Sequence, residues 1–193
     1  MDPKPGKTES QPFLSDVKKL RAQARAHAEE RAVTSAYEGD PKKTIEILQA
    51  VLATEIVCML RYTMNSIAAS GISSEGVKEE VADHAAEEQE HMNLVAEWIN
   101  QLGGKPNFNP EGLASRATSQ YVDCTLLIDM IKENLVAERI ACDHYTELIR
   151  HFVDRDPATR VMLEGILQKE EEHANDMHDL LVAHQGKPML PNS

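Results

Sequence analysis

Two short runs carry the same pairing of side chains. "AAEEQEHM" holds Glu88-x-x-His91 and "QKEEEHAN" holds Glu170-x-x-His173. Residues i and i+3 lie on one face of a helix, so each run can aim one carboxylate and one imidazole at a common point. Two more acids stand alone among apolar neighbours: Glu55 in "AVLATEIVCML" and Glu138 in "NLVAERIAC". A carboxylate buried ionised and unpaired is costly, and four facing one another would also repel. Two divalent cations remove both penalties. The four glutamates balance their charge, carboxylates can bridge them, and each imidazole adds one nitrogen. Oxygen-rich sites with one histidine apiece suit iron or manganese better than a soft-ligand metal.

The six residues fall into an internal repeat. "LATEIVCMLRYT" (Leu52 to Thr63) matches "LVAERIACDHYT" (Leu135 to Thr146), pairing Glu55 with Glu138 and Tyr62-Thr63 with Tyr145-Thr146. Glu55 precedes Glu88 by 33 residues (88 − 55) and Glu138 precedes Glu170 by 32 (170 − 138). The chain therefore reads as two similar hairpins, each with one lone Glu and one Glu-x-x-His. Tyr62 and Tyr145 sit two turns after the lone acids. Each phenol is either a donor to a metal-bound carboxylate or an ordinary core tyrosine.

Four long helical patterns position these groups. The first opens at Asp40-Pro41, an N-cap followed by proline at the first helical position, and runs to about Ala69, stopping near Gly71. The second starts after Ser73-Ser74 and ends at Gly103-Gly104. The third spans about Tyr121 to Asp154. The fourth opens at Asp156-Pro157 and ends near Gly186, with Pro188 beyond. The first and last pairs are joined by a few residues and form antiparallel hairpins. The middle link, "GGKPNFNPEGLASRATSQ", reaches roughly 60 Å at about 3.3 Å per residue. A helix of about 28 residues is only about 42 Å long. The link can thus cross the whole bundle, which predicts an all-α, ferritin-like four-helix topology with one long crossover. An additional helix is expected from Leu14 to about Val33. The expected organisation is a tail and short helix over residues 1–40, the bundle over 41–186 and a tail over 187–193, with residues 1 to about 13 disordered.

Composition agrees with a helical bundle. The chain has 193 residues, 41% hydrophobic and only 4% aromatic, which fits one domain with an aliphatic core. The net charge is −12. Up to Arg31 there are seven Lys/Arg against five Asp/Glu, a surplus of +2 that leaves −14 for the remainder. An acidic body attracts cations and disfavours non-specific nucleic-acid binding. Cys58, Cys124 and Cys142 form no Cys-x-x-Cys pair, which argues against a rubredoxin-type iron site or structural zinc, and they read as small core residues. The polar, Pro-rich start lacks a signal peptide's apolar segment, and no run of about 18 apolar residues occurs, so no membrane association and a cytoplasmic location are expected. Of the remaining polar groups, Glu87, Glu90, Glu171 and Glu172 are expected to be solvated. His84, one turn before Glu88, is expected in a supporting or surface position rather than as a ligand. His27, His144, His151, His178 and His184 are expected at the surface, and Trp98 in the core or an interface.

Glu55, Glu88-x-x-His91, Glu138 and Glu170-x-x-His173 resemble the ferroxidase ligands of bacterioferritin, over roughly residues 41 to 185. "LVAERIACDHY" and "ILQKEEEHANDM" carry the likeness most clearly. The resemblance implies that Glu55 and His91 serve one iron and Glu138 and His173 the other, with Glu88 and Glu170 bridging. Where bacterioferritin has a haem-ligating Met, this chain has Gln89, which argues against haem. The forty-residue N-terminal extension and the lack of a short fifth helix are more similar to the Dps-type miniferritins. That similarity favours a twelve-subunit cage over twenty-four subunits.

The function so implied is a ferroxidase: two Fe²⁺ bind between the helices and give two electrons together to O₂ or H₂O₂, for iron storage and detoxification in a cage. The alternatives are a rubrerythrin-like di-iron or di-manganese peroxidase or oxidase without storage, and a Dps-type DNA protector that uses Lys18, Lys19, Arg21 and Arg25 against phosphates. The small surplus of +2 ranks the DNA reading lowest.

Overall fold

A computed structural model describes residues 16–29, 33–34, 37–69 and 74–185. The expectations for residues 1–13, for Leu14, for the stop near Gly71 and for the tail from Gly186 fall outside them. The described residues form six helices and no strand: α1 Val17–Ala26, α2 Pro41–Ala68, α3 Glu75–Gln101, α4 Leu113–Arg116, α5 Leu127–Phe152 and α6 Pro157–Gln185. α2 packs chiefly on α3 and α5 on α6, the two expected hairpins. No helix of the described residues is long and apolar enough to cross a membrane.

The helix starts follow local chemistry. The Asp40 side chain accepts from the N–H groups of Lys42 and Lys43 at 3.0 and 3.4 Å, while Pro41 occupies a position whose N–H has no helical partner. Asp156 caps α6 in the same way, accepting from Thr159 N at 2.9 Å and Thr159 Oγ1 at 2.6 Å. It is only 1% exposed and also accepts from Tyr37 Oη at 2.8 Å. Trp98 Nε1 of α3 donates to Thr159 Oγ1 at 2.7 Å, so the cap ties three parts of the chain together. Asp156→Ala removes a cap and leaves these donors unpaired, at a cost of about 2 kcal/mol. The melting temperature should fall by roughly 4–8 °C in a thermal scan. α3 ends as Gly103 turns back at φ 93°, and Gly104 N bonds Ile99 O at 2.9 Å. A Cβ on Gly104 would meet Ile45 and Ile99 side chains at 2.9 Å, so the chain passes there only as glycine.

Two boundaries differ from expectation. α5 begins at Leu127, not near Tyr121, so the crossing segment runs from 102 to 126 and contains the short α4. Partners on α2 hold it extended. Gln49 donates to Lys105 O and accepts from Asn107 N, Thr54 Oγ1 accepts from Thr118 N, and Arg61 Nη1 donates to Gln120 O. Backbone groups bound to α2 side chains are not free for a helix turn. α1 is shorter than expected and buries none of its residues. Its apolar residues Val17 and Leu20 stay exposed, and without burial propensity alone supports only a short helix.

The core is split in two. One cluster includes Leu48, Leu52, Ile99, Phe152 and Leu163; the other includes Tyr62, Val77, Val81, Ile131 and Met177. Glu55, Glu88, Glu138, Glu170, His91 and His173 are all buried within the same bundle. Apolar packing on both sides determines how the helices are rotated, and that rotation turns the polar residues inward.

Candidate metal centre

All six residues singled out by spacing come together. Glu55, Glu138 and Glu88 are 2%, 1% and 1% exposed, and Glu170 2%. Their donor atoms form two overlapping groups. Glu55, Glu88, His91 and Glu170 each offer an atom within 4.8 Å of the others, and so do Glu88, Glu138, Glu170 and His173. Glu88 and Glu170 belong to both groups. Both imidazoles turn Nδ1 inward. His91 Nδ1 lies 3.1 Å from Glu170 Oε1 and 3.4 Å from Glu55 Oε2. His173 Nδ1 lies 3.6 Å from Glu88 Oε1 and 3.9 Å from Glu138 Oε2.

These near contacts are not satisfied hydrogen bonds. Glu55 Oε2, Glu88 Oε1, Glu170 Oε1, His91 Nδ1 and His173 Nδ1 are buried without a hydrogen-bond partner. Buried polar atoms in native proteins are nearly always paired, so five orphans around one point fit a site built for cations. Lone pairs that converge on a centre rather than on each other are what coordination requires.

The electrostatics carry the same strain. Burial, reinforced by Glu55, raises the pKa of Glu88. Burial together with Glu170 and Glu88 holds Glu138 well above the ordinary carboxylate range, and burial with Glu88 raises Glu170. Burial works against a charged His91, but Glu170, Glu55 and Glu88 outweigh it and push its pKa up to about 12. His173 is raised to about 9 by Glu88 and Glu87 against the same opposition from burial. Without cations, protons take up part of the charge compensation.

The tyrosines resolve an alternative that spacing left open. Tyr62 Oη donates to Glu138 Oε1 at 2.5 Å, and Tyr145 Oη donates to Glu55 Oε1. Each phenol serves the acid of the other hairpin, not the one on its own helix. The bond occupies Oε1 of Glu55 and leaves its Oε2 facing inward.

One expectation is corrected and one is narrowed. Glu87 is not simply solvated: it is half-buried, and its Oε2 lies 2.5 Å from His173 Nε2, where it orients the ring. Lys169 Nζ lies 3.4 Å from the other oxygen of Glu87. Of the two positions expected for His84, supporting or surface, it takes the supporting one: it is 3% exposed, with its ring stacked on His173 at a centroid distance of 3.9 Å. Burial, aided by repulsion from His173, lowers its pKa to about 3, so it is a neutral base. Its position one turn before Glu88 was the available signal, but one turn does not tell which neighbour the ring will meet. Glu90, Glu171, Glu172, His27 and His178 are exposed as expected, while His144, His151, His184 and Trp98 are half-buried. Cys58 is buried, Cys124 and Cys142 are half-buried, and all three are free thiols.

A four-helix bundle with a crossover after its second long helix and a carboxylate–histidine cluster at its waist defines a class of protein. The chain belongs to the Ferritin-like domain family, whose pattern matches residues 45–185. It is 31% identical over 152 residues to the DNA protection during starvation protein of Pyrococcus furiosus, covering 77% of this chain and 80% of that one. Among solved structures it is similar to a dodecameric thioferritin, the bacterioferritin-related protein of Bacteroides fragilis: 26% identity, TM-score 0.73, 90% of this chain and 99% of that one. It also shares the fold of the Desulfovibrio desulfuricans bacterioferritin, which has a diiron site, at 19% identity and TM-score 0.67, over 76% of this chain and 82% of that one.

Proposed function

We propose that the protein is a ferroxidase that oxidises Fe²⁺ in pairs and stores the product inside a twelve-subunit shell. The observation that carries this reading is the pair of overlapping donor groups sharing Glu88 and Glu170. Glu55, Glu88, His91 and Glu170 hold one Fe²⁺; Glu138, Glu88, Glu170 and His173 hold the other. Fe²⁺ is the substrate here. Two Fe²⁺ give one electron each, and H₂O₂ with two protons becomes two H₂O; with O₂ the same two electrons and two protons make H₂O₂. Delivering both electrons together avoids a one-electron step that would release hydroxyl radical.

The chain's own residues do the positioning. Tyr62 and Tyr145 hold the outer oxygens of Glu138 and Glu55, and Glu87 fixes the ring of His173. Such partners orient ligands and set their basicity. Binding displaces the protons that His91 and the buried acids hold, so loading releases protons. The acidic chain, with a net charge of −12, draws Fe²⁺ toward the shell. Similarity to a dodecameric thioferritin supports the twelve-subunit shell.

The test uses the purified full chain, loaded without oxygen with two Fe²⁺ per subunit and then given one H₂O₂ per pair. Ferric absorbance should develop to full stoichiometry with little hydroxyl radical captured by a spin trap, whereas a protein-free control oxidises its Fe²⁺ with radical release; as much trapped radical with the protein as without it would overturn the reading. Twelve copies of the 21.5 kDa chain weigh about 258 kDa. A dimer of about 43 kDa would overturn the storage half and favour a rubrerythrin-like peroxidase, which could use manganese in place of iron.

A second reading, DNA binding, is favoured by one feature. α1 buries none of its residues and carries Lys18, Lys19, Arg21 and Arg25. Its test is a gel shift that disappears when residues 1–31 are deleted and weakens steeply with salt.

A further inference from the structure

We propose that Glu80, His84 and Asp176 form a third divalent-cation site, on the outward side of the paired centre, and that it passes cations inward through His84. The three offer donor atoms within 4.8 Å of one another. His84 is 3% exposed, and its Nε2 is buried without a hydrogen-bond partner. That nitrogen lies 3.5 Å from Glu80 Oε1 and 3.7 Å from Asp176 Oδ2. The two carboxylate side chains are 39% and 40% exposed, so they meet solvent while the imidazole does not. Among the described residues, no lysine or arginine pairs with either acid. An imidazole nitrogen with two carboxylates, open to water, suits Fe²⁺, Mn²⁺ or Zn²⁺.

The other edge of the same ring faces the centre. His84 Nδ1 lies 3.9 Å from Glu138 Oε1, and His84, Glu138 and His173 form a further group with donor atoms within 4.8 Å. His84 is thus common to an outer and an inner group, which makes it a stepping position between solvent and the buried glutamates.

The internal repeat provides a control. Glu88 and Glu170 are 82 residues apart (170 − 88), and the same offset pairs Glu80 with Met162, His84 with Ile166 and Asp176 with Leu94. The matching positions in the other half are all apolar. The bundle therefore does not need polar groups there for packing, and the triad on one side is an addition. A buried imidazole with an unpaired nitrogen costs stability unless something satisfies it.

Binding at the triad stands by itself; the inward passage rests on the ferroxidase reading. The metal-free full chain is titrated with Zn²⁺, and bound ions are counted per subunit by native mass spectrometry. The wild type should take three, and Glu80→Gln with Asp176→Asn should take two. Fewer than three on the wild type, or three on the double variant, overturns the third site. A wild type that takes two leaves the paired centre standing, whereas one that takes none overturns both readings. For the passage, oxidation is followed at Fe²⁺ concentrations below half-saturation. The double variant should be about tenfold slower, an effect comparable to removing a group adjacent to a metal ligand. A rate equal to wild type there overturns the passage.

Discussion

Replacing Glu88 with Ala is expected to slow Fe²⁺ oxidation by about a hundredfold or more, because both donor groups lose a member at once. Loss of a residue that only orients a metal ligand costs about 10–100-fold, and a ligand shared by two ions belongs at or beyond the upper end. His173→Ala, which strips the nitrogen from one group only, should follow closely. Glu90→Gln, two positions away and exposed, is the control and should behave as wild type. Rates for Glu88→Ala and His173→Ala equal to wild type would mean that the chemistry takes place elsewhere. Glu88→Gln separates loss of charge from loss of volume. Burial and Glu55 already raise the pKa of Glu88, so a neutral amide of the same shape relieves the metal-free protein. The metal-free variant should be more stable than wild type, because the ionised carboxylate is disfavoured in the folded state, while its rate collapses. Gain of stability with loss of activity, read in one thermal scan and one oxidation trace, is the signature of a site held under electrostatic strain.

Metal loading should produce the second large effect. At cation concentrations about a hundredfold above Kd, each site adds about 2.7 kcal/mol. The two sites of the paired centre alone correspond to a rise of roughly 10–20 °C in melting temperature for a chain of this size. Redox-silent Zn²⁺ under anaerobic scanning is a suitable probe. The rise should grow with pH, for a reason with a definite sign. His173, at about 9 in the folded state against about 6.5 unfolded, contributes stability that is fully present below pH 6.5 and lost as pH climbs toward 9. His91, at about 12, continues that loss above pH 9. The raised carboxyls of Glu88, Glu138 and Glu170 act in the same direction, stabilising most below their unfolded values and losing that contribution as pH rises through their folded ones. The metal-free protein should therefore weaken between pH 6.5 and 9, with His173 alone giving a slope of up to about 1.4 kcal/mol per pH unit. The loaded protein has shed these protons and should be nearly flat. A metal-free form that gains stability over that window would contradict the assigned protonation.

Part of this was legible in the residues alone. Glu-x-x-His at helical spacing needs only the geometry of one helix, and the repeat of gaps between lone and paired acids needs only hairpin connectivity. All six inward residues could therefore be named before any contact was known. The starts of α2 and α6 were equally local, since Asp40-Pro41 and Asp156-Pro157 satisfy their own backbones. The start of α5 was not, because the chain before Leu127 is held extended by Gln49, Thr54 and Arg61 on another helix.

What the sequence by itself determined was the donor set and its division between two hairpins, since both follow from intervals along the chain. What only the tertiary structure decided was which groups meet across hairpins: Tyr62 on Glu138 and Tyr145 on Glu55, Glu87 on His173, and His84 between solvent and centre. The physical reason is that spacing specifies which face of a helix a side chain occupies, whereas its partner depends on how far each helix is rotated and slid against the next. Packing of the two apolar clusters sets those two quantities, through contacts among residues far apart in the chain.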